Sequence, residues 1–114
     1  MKDERLYLIH IGECIERIEE YTSAGKNAFF AETMIQDAVL RNLQIMAEST
    51  QRLAAAIKKR HPEIDWQNLA GFRNLLVHHY LGIKLDRVWE IVERELPDLK
   101  RKTGAIQTDL GLAE

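Results

Sequence analysis

The stretch RNLLVHHY, Arg73–Tyr80, places a guanidinium, two imidazoles and a phenol around an aliphatic centre. Arginine is a permanent cation whose forked donors match phosphate oxygens. Histidine titrates near neutrality and can give or take a proton. Together these groups can cleave a ribose–phosphate backbone without a metal. The imidazole handles a proton on the 2′-hydroxyl or the leaving oxygen, and the guanidinium stabilises the charge of the phosphorane. The same residue types also suit a solvated helix face, with Tyr80 a packing residue whose hydroxyl stays wet.

Helical geometry sorts the stretch. At about 100° per residue, Arg73, Val77 and Tyr80 share one side, while Asn74 and His78 stack four apart on another. Arg73 and His78 then diverge by about 140°. One ideal helix does not aim both at one phosphate. Either the helix loosens near Gly82, or Arg73 reaches around, or a second subunit completes the site.

The elements that must position this stretch read as helices. Leu8, Ile11, Ile15 and Ile18 recur at steps of three and four, as on one buried helical face. Gly25 follows in TSAGKN, a loop composition. Ile35, Val39, Leu43, Met46, Thr50, Leu53 and Ile57 continue the helical step and predict one long helix with Met34 and Met46 in its apolar stripe. Thr33 with Gln36 suggests a capping box at its start. Lys58, Lys59 and Arg60 suit the negative end of its dipole, and Pro62 marks the stop. Asp65 reads as the cap of a third helix carrying Trp66, Leu69, Phe72 and the motif, with Gly82 ending it. Asp86 reads as the cap of a fourth, with Val88, Trp89, Val92, Leu96 and Leu99, kinked or split at Pro97. Residues 1–103 are expected to form one helical domain, and 104–114 a tail that is frayed or used at a contact. The fold class is all-α, an antiparallel bundle of four to five helices.

Composition narrows the function classes. With 114 residues, 46% hydrophobic and 30% charged, the chain is one globular domain rather than a disordered segment. A net charge of −2 confines any nucleic-acid site to a local patch. The single cysteine, Cys14, suits a reducing, cytoplasmic setting. The opening MKDERLYLIH carries charges where a leader needs an apolar core, and no run approaches a membrane span. His10 and His61 lack partners at ligand spacing, so no metal and no other cofactor is expected.

The motif and its setting resemble a known family. Arg, four residues, His, any residue, Tyr is the pattern of the HepT-like toxins of the HEPN superfamily. QDAVLRNLQIMAES resembles that family's long second helix, HPEIDWQNLAGFRNLLVHHYLGIKLDRVW its central helix-turn-helix, and IVERELPDL its closing helix. The resemblance covers roughly residues 5 to 100. It implies a HEPN-type bundle, a homodimer, and metal-independent endoribonuclease activity on an RNA substrate. It also implies a type VII-like toxin–antitoxin pair, whose minimal nucleotidyltransferase antitoxin adds AMP to the motif tyrosine. Carried over, Arg73 and His78 are the catalytic pair, Asn74 is the polar residue after the arginine, and Tyr80 is the AMPylation site. Where the family commonly has glycine this chain has His79, a second imidazole that can face solvent or compete as proton carrier. The alternative is a HEPN module that binds nucleotide or RNA, or acts as a dimeric scaffold supporting a nucleotidyltransferase, without cutting.

Other residues carry a sharp and a bland reading. Arg41 and Glu48, seven apart, share one side of the second helix; the resemblance puts them beside the groove as catalytic support, and otherwise they are a surface pair. Lys58, Lys59, Arg60 and His61 could steer RNA or could simply end a helix. Trp66 and Trp89 are expected to pack the core rather than stack on bases. Ala38, Ile45, Ala54 and Ala55 lie off the main stripe and suggest a surface buried against a second copy.

Overall fold

The computed structural model describes residues 4–78 and 82–109, with Glu4, Val77 and His78 described as backbone only. The described residues form helices without a strand: α1 (Glu4–Tyr21), α2 (Lys26–Ala31), α3 (Thr33–Gln51), α4 (Ala55–Arg60), α5 (Trp66–His78), α6 (Leu85–Glu90) and α7 (Leu96–Asp109). A π-helical turn, Ile91–Glu95, joins α6 to α7 without a break. Four long helical spans therefore make the bundle, and α2 and α4 are short helices in its connections. This is the expected all-α bundle.

The period-3.6 stripes account for the core. Leu8, Ile11, Ile15 and Ile18 on α1 are fully buried, as are Val39 and Leu43 on α3. Met46, Thr50, Leu53 and Ile57 continue that buried face. Thr50 is tolerated there because its hydroxyl donates to the Ala47 carbonyl at 2.7 Å. α3 packs on α1 and on α5, and α7 packs on α1. The α1–α7 pair is antiparallel: Gln107 Nε2 donates to the Leu8 carbonyl at 2.9 Å, and Lys100 Nζ lies 2.9 Å from Glu19 Oε1. The boundary expected at residue 104 falls inside α7, whose Thr103 and Ile106 are both buried.

Several local expectations are corrected. The segment read as a loop after Gly25 contains α2, anchored by the fully buried Phe29 against Phe30 and Trp89, each at 5.3 Å between ring centroids. Gly25 enters α2 at φ 97°, a left-handed value that costs glycine little and other residues more. No capping box forms at Thr33, since the cap is Glu32 without a side-chain bond. Gln36 turns back instead and donates to the Phe29 and Phe30 carbonyls at 3.0 and 3.3 Å. Those are end-of-helix carbonyls that would otherwise lack partners. Met34 is 83% exposed rather than in the stripe, because it points about 100° away from its neighbour Ile35, which does pack against the core.

The single long second helix is also corrected. It breaks at Arg52–Ala54, where Ala54 is extended (φ −65°, ψ 148°). No glycine or proline marks this break, and it leaves both Leu53 and Ile57 facing the core. Asp86 is not a cap; it sits in the first turn of α6 behind Lys84, where its charge still favours the helix N-terminus.

An expected helix start is found, and an expected kink or split is replaced by a continuous wider turn. Asp65 Oδ1 accepts the Asn68 backbone N–H at 2.9 Å, the bond of an N-cap. Pro97 has no N–H, and its ring crowds the carbonyl four residues earlier. The chain answers by widening the preceding turn: the Leu96 N–H bonds to the Ile91 carbonyl, five residues back. Asp65→Ala should lower stability by about 1 kcal/mol, the usual cost of a lost N-cap. Urea unfolding checks this, and an unchanged midpoint would mean that the cap does not hold α5.

Candidate active site

The site begins with two helices packed by their apolar faces. Leu76 on α5 is buried while Arg73, one turn earlier, lies at the seam with α3. There Arg73 Nε donates to Glu48 Oε1 at 2.7 Å, and Arg73 Nη1 donates to Asn74 Oδ1 at 3.1 Å. Both partners of the ion pair keep about a third of their side-chain surface, 33% and 34%. Two bonds therefore fix the plane of the guanidinium while part of it faces solvent. That is a preorganised cation, oriented by a carboxylate on its Nε edge and able to meet an anion with its remaining N–H groups.

Helical spacing puts Glu48 on one side of α3 with Arg41, and the family resemblance puts both beside the groove without naming a partner. Among the described residues Arg41 reaches Gln44, at 3.5 Å on the exposed side of α3. The contact between Glu48 and Arg73 spans 25 residues and exists only because α3 and α5 pack.

The backbone stays α-helical through His78, the last residue of α5. The helix therefore does not loosen between Arg73 and His78. The His78 side chain, His79 and the modification candidate Tyr80 lie outside the described residues.

The basic run is partly dismantled. Lys59 and Arg60 are exposed, but Lys58 lies over the Trp66 ring at 5.9 Å. His61 is buried, with Nδ1 3.1 Å from Glu63 Oε2 and Nε2 3.8 Å from Asp109 Oδ2. It is a packing residue rather than part of a basic surface. The Glu63 carboxyl is held below the usual range, first by its own backbone N–H and then by His61. Trp66 packs against the core as expected and also ends α4, its Nε1 donating to the Lys58 and His61 carbonyls at 3.1 and 3.0 Å. Trp89 likewise packs on the core. Cys14 is buried in the core, and that burial pushes its thiol pKa up.

Comparison with known proteins decides the lineage. Residues 11–106 match the family described as Ribonuclease HepT-like, a span that holds every motif position from Arg41 to Tyr80. The chain belongs to the HepT-like ribonucleases. It is 37% identical over 97 residues to "Probable ribonuclease HepT" of Thermococcus cleftensis, covering 84% of this chain and 88% of that protein. It is 31% identical over 107 residues to a protein of Caldanaerobacter subterraneus subsp. tengcongensis named "Putative RNase TTE0752", covering 93% and 96%. A third relative, from Methanocaldococcus jannaschii, is named "Gamma-glutamylcyclotransferase and putative RNase MJ0434". It is 36% identical over 110 residues, which is 96% of this chain but only 50% of that protein. This chain thus spans half the length of that two-activity relative. No solved structure gives a significant match. By family this chain is a HEPN-type ribonuclease, an RNA-cleaving hydrolase. Among the described residues no helix is long and apolar enough to cross a membrane.

A double-mutant cycle tests the seam. Glu48→Gln and Arg73→Gln should show a coupling of up to about 1 kcal/mol in urea unfolding, modest because both groups are partly solvated. The Arg41–Glu48 cycle should show none.

Proposed function

We propose that this HepT-like ribonuclease is a metal-independent endoribonuclease toxin acting on cytoplasmic RNA, with Arg73 and His78 as its catalytic pair. The observation that carries the reading is the Arg73 guanidinium, fixed by Glu48 and Asn74 on the helix that ends at His78. In the proposed mechanism, a phosphate of the RNA meets the outer N–H groups of Arg73. The 2′-oxygen attacks the adjacent phosphorus as the bond from phosphorus to the 5′-oxygen breaks; the 2′-hydroxyl loses a proton and the leaving 5′-oxygen gains one, His78 serving one of these transfers and water the other. Arg73 stabilises the charge that develops on the phosphorane. Glu48 and Asn74 position Arg73, while Arg41 has no direct part in holding it.

A homodimer belongs to the same reading. With α5 regular to its end, Arg73 and His78 of one chain diverge by about 140°. A two-fold partner would bring the missing group into a shared cleft. Tyr80, seven residues after Arg73, is the proposed control point for a minimal nucleotidyltransferase antitoxin. AMP added to its hydroxyl carries a phosphodiester charge that would occupy Arg73 as a pseudo-substrate, while base and ribose block RNA. Neutralisation then needs no change of fold.

Cleavage should survive chelator and leave a 2′,3′-cyclic phosphate or its hydrolysis product. His78→Ala should lower the cleavage rate by about 10²-fold or more, and Arg73→Ala should do likewise. Both should remain folded, as read by circular dichroism, and dimeric, as read by light scattering. His79→Ala should matter far less; if it is the inactive variant, His79 is the proton carrier. Co-expression with a partner nucleotidyltransferase should add one or more AMP masses to the wild type and none to Tyr80→Phe, by intact mass. Neutralisation of an unmodified chain would show that the partner acts by occlusion instead.

A further inference from the structure

The charge of the chain is not evenly spread. Between Arg41 and His78 it carries six Lys and Arg against three Asp and Glu, while the remainder carries ten against fifteen. Arg73 therefore sits on the basic part of an acidic protein, and the placing of each charge decides what that part can bind.

Two contacts fix the order of the cations along the seam of α3 and α5. Glu48, near the end of α3, meets Arg73, and Lys58 of α4 lies over the ring of Trp66 at the start of α5. Moving forward along α3 into α4 is thus moving backward along α5. Arg52, the C-cap of α3, lies between these two levels. It follows Glu48 by four residues, so it stands on the same side of α3, one turn or about 5.4 Å further on. Trp66 precedes Arg73 by seven residues, so it stands on the same side of α5, two turns or about 10.5 Å away. Arg73, Arg52 and Lys58 therefore follow one another along the seam, about one helical turn apart.

The carboxylates of this part are spent or turned away. Glu48 is committed to Arg73. Glu63 and Asp65 line a separate cleft between α5 and α7, which Arg73, Arg52 and Lys58 do not line. Arg41 lies the other way along α3 from Glu48, with Asp37 one turn beyond it. Arg52 is exposed, and its side chain has no hydrogen-bonded or ionic partner among the described residues. Lys58 meets an indole, which leaves its charge uncompensated.

We infer that Arg52 and Lys58 form a phosphate-binding track beside the cleavage site. The RNA strand runs from Arg73 along the seam toward α4, with Arg52 on the phosphate next to the scissile one and Lys58 on the phosphate after that. The inference rests on the reading of Arg73 as the group that meets the scissile phosphate. A single strand repeats one negative charge at every nucleotide, and a row of cations matches that repeat. A small anion would engage only one of the three. The track holds backbone and not bases, so it sets the position of the strand without choosing its sequence.

Binding is followed by fluorescence anisotropy with a labelled eight-nucleotide 2′-O-methyl RNA, in which the attacking hydroxyl is blocked, at several salt concentrations. Arg52→Gln and Lys58→Gln should each weaken binding by about tenfold at low salt, the scale of one lost charge-assisted bond. Each should also reduce the slope of log K against log salt by about 0.7, the value of one phosphate contact on a single strand. Arg52→Lys should keep the slope. Arg94→Gln removes the same charge from the other cleft, where Arg94 is exposed and also lacks a partner among the described residues, and it should change neither affinity nor slope. With cleavable RNA, Arg52→Gln should lose about tenfold in kcat/KM on the octamer relative to a dinucleotide, whose only phosphate is the scissile one. A wild-type slope in Arg52→Gln would overturn the inference, as would equal losses on octamer and dinucleotide. So would equal weakening by Arg94→Gln, because general attraction would then account for the binding. The anisotropy arm involves no chemistry and decides the track by itself; cleavage by Arg73→Ala at the wild-type rate would instead remove the reading of Arg73.

Discussion

The packing of α3 between α1 and α5 is the constraint on which the rest depends. One face of α3 must bury Val39, Leu43, Met46 and Thr50. Burying that stripe fixes the rotation of the helix, and with it the direction of Glu48. A rotation of even one residue, about 100°, would carry the carboxylate away from the seam. The hydrophobic effect thus sets the position of a charged pair whose own contribution is small. Arg73 is placed by apolar burial and only then oriented by its carboxylate.

The closing helical run shows a second conflict and its resolution. Val88, Ile91, Leu96 and Leu99 all belong to the core. Pro97 in the middle of such a run would break a regular α-helix. One wider turn avoids the break, because it moves the bonding from the fourth to the fifth residue and keeps the helix continuous. The local change of register also brings Ile91, Arg94 and Glu95 to one cleft. A backbone accommodation therefore has a consequence at the surface.

Family membership and geometry meet at α5. The HepT-like lineage makes the chain a ribonuclease. The structure adds how its arginine is held: Nε on Glu48, Nη1 on Asn74, and the remaining edge toward solvent. A cation so held needs little rearrangement when charge develops on a bound phosphate, which is the physical basis of electrostatic preorganisation.

What the sequence determined by itself is what depends on neighbours a few residues away. The stripes of α1 and α3 were legible because helical period alone decides which residues share a face. The Asp65 cap was legible because its partner is three residues away, and Pro97 because its missing N–H disrupts its own helix. The Arg73–His78 motif was readable as chemistry from residue types, and its family from the surrounding segments. Only the tertiary structure could decide the rest. Glu48 belongs to Arg73 and not to Arg41, because the choice depends on how two helices dock. Gln36 caps the end of α2 rather than the start of its own helix, because α2 lies within its reach. Met34 is exposed although it adjoins the apolar stripe, because Ile35 is the residue that turns to the core. His61 is buried among carboxylates because the end of α7 comes back to meet it. In each case the local pattern allowed two outcomes, and long-range packing chose one.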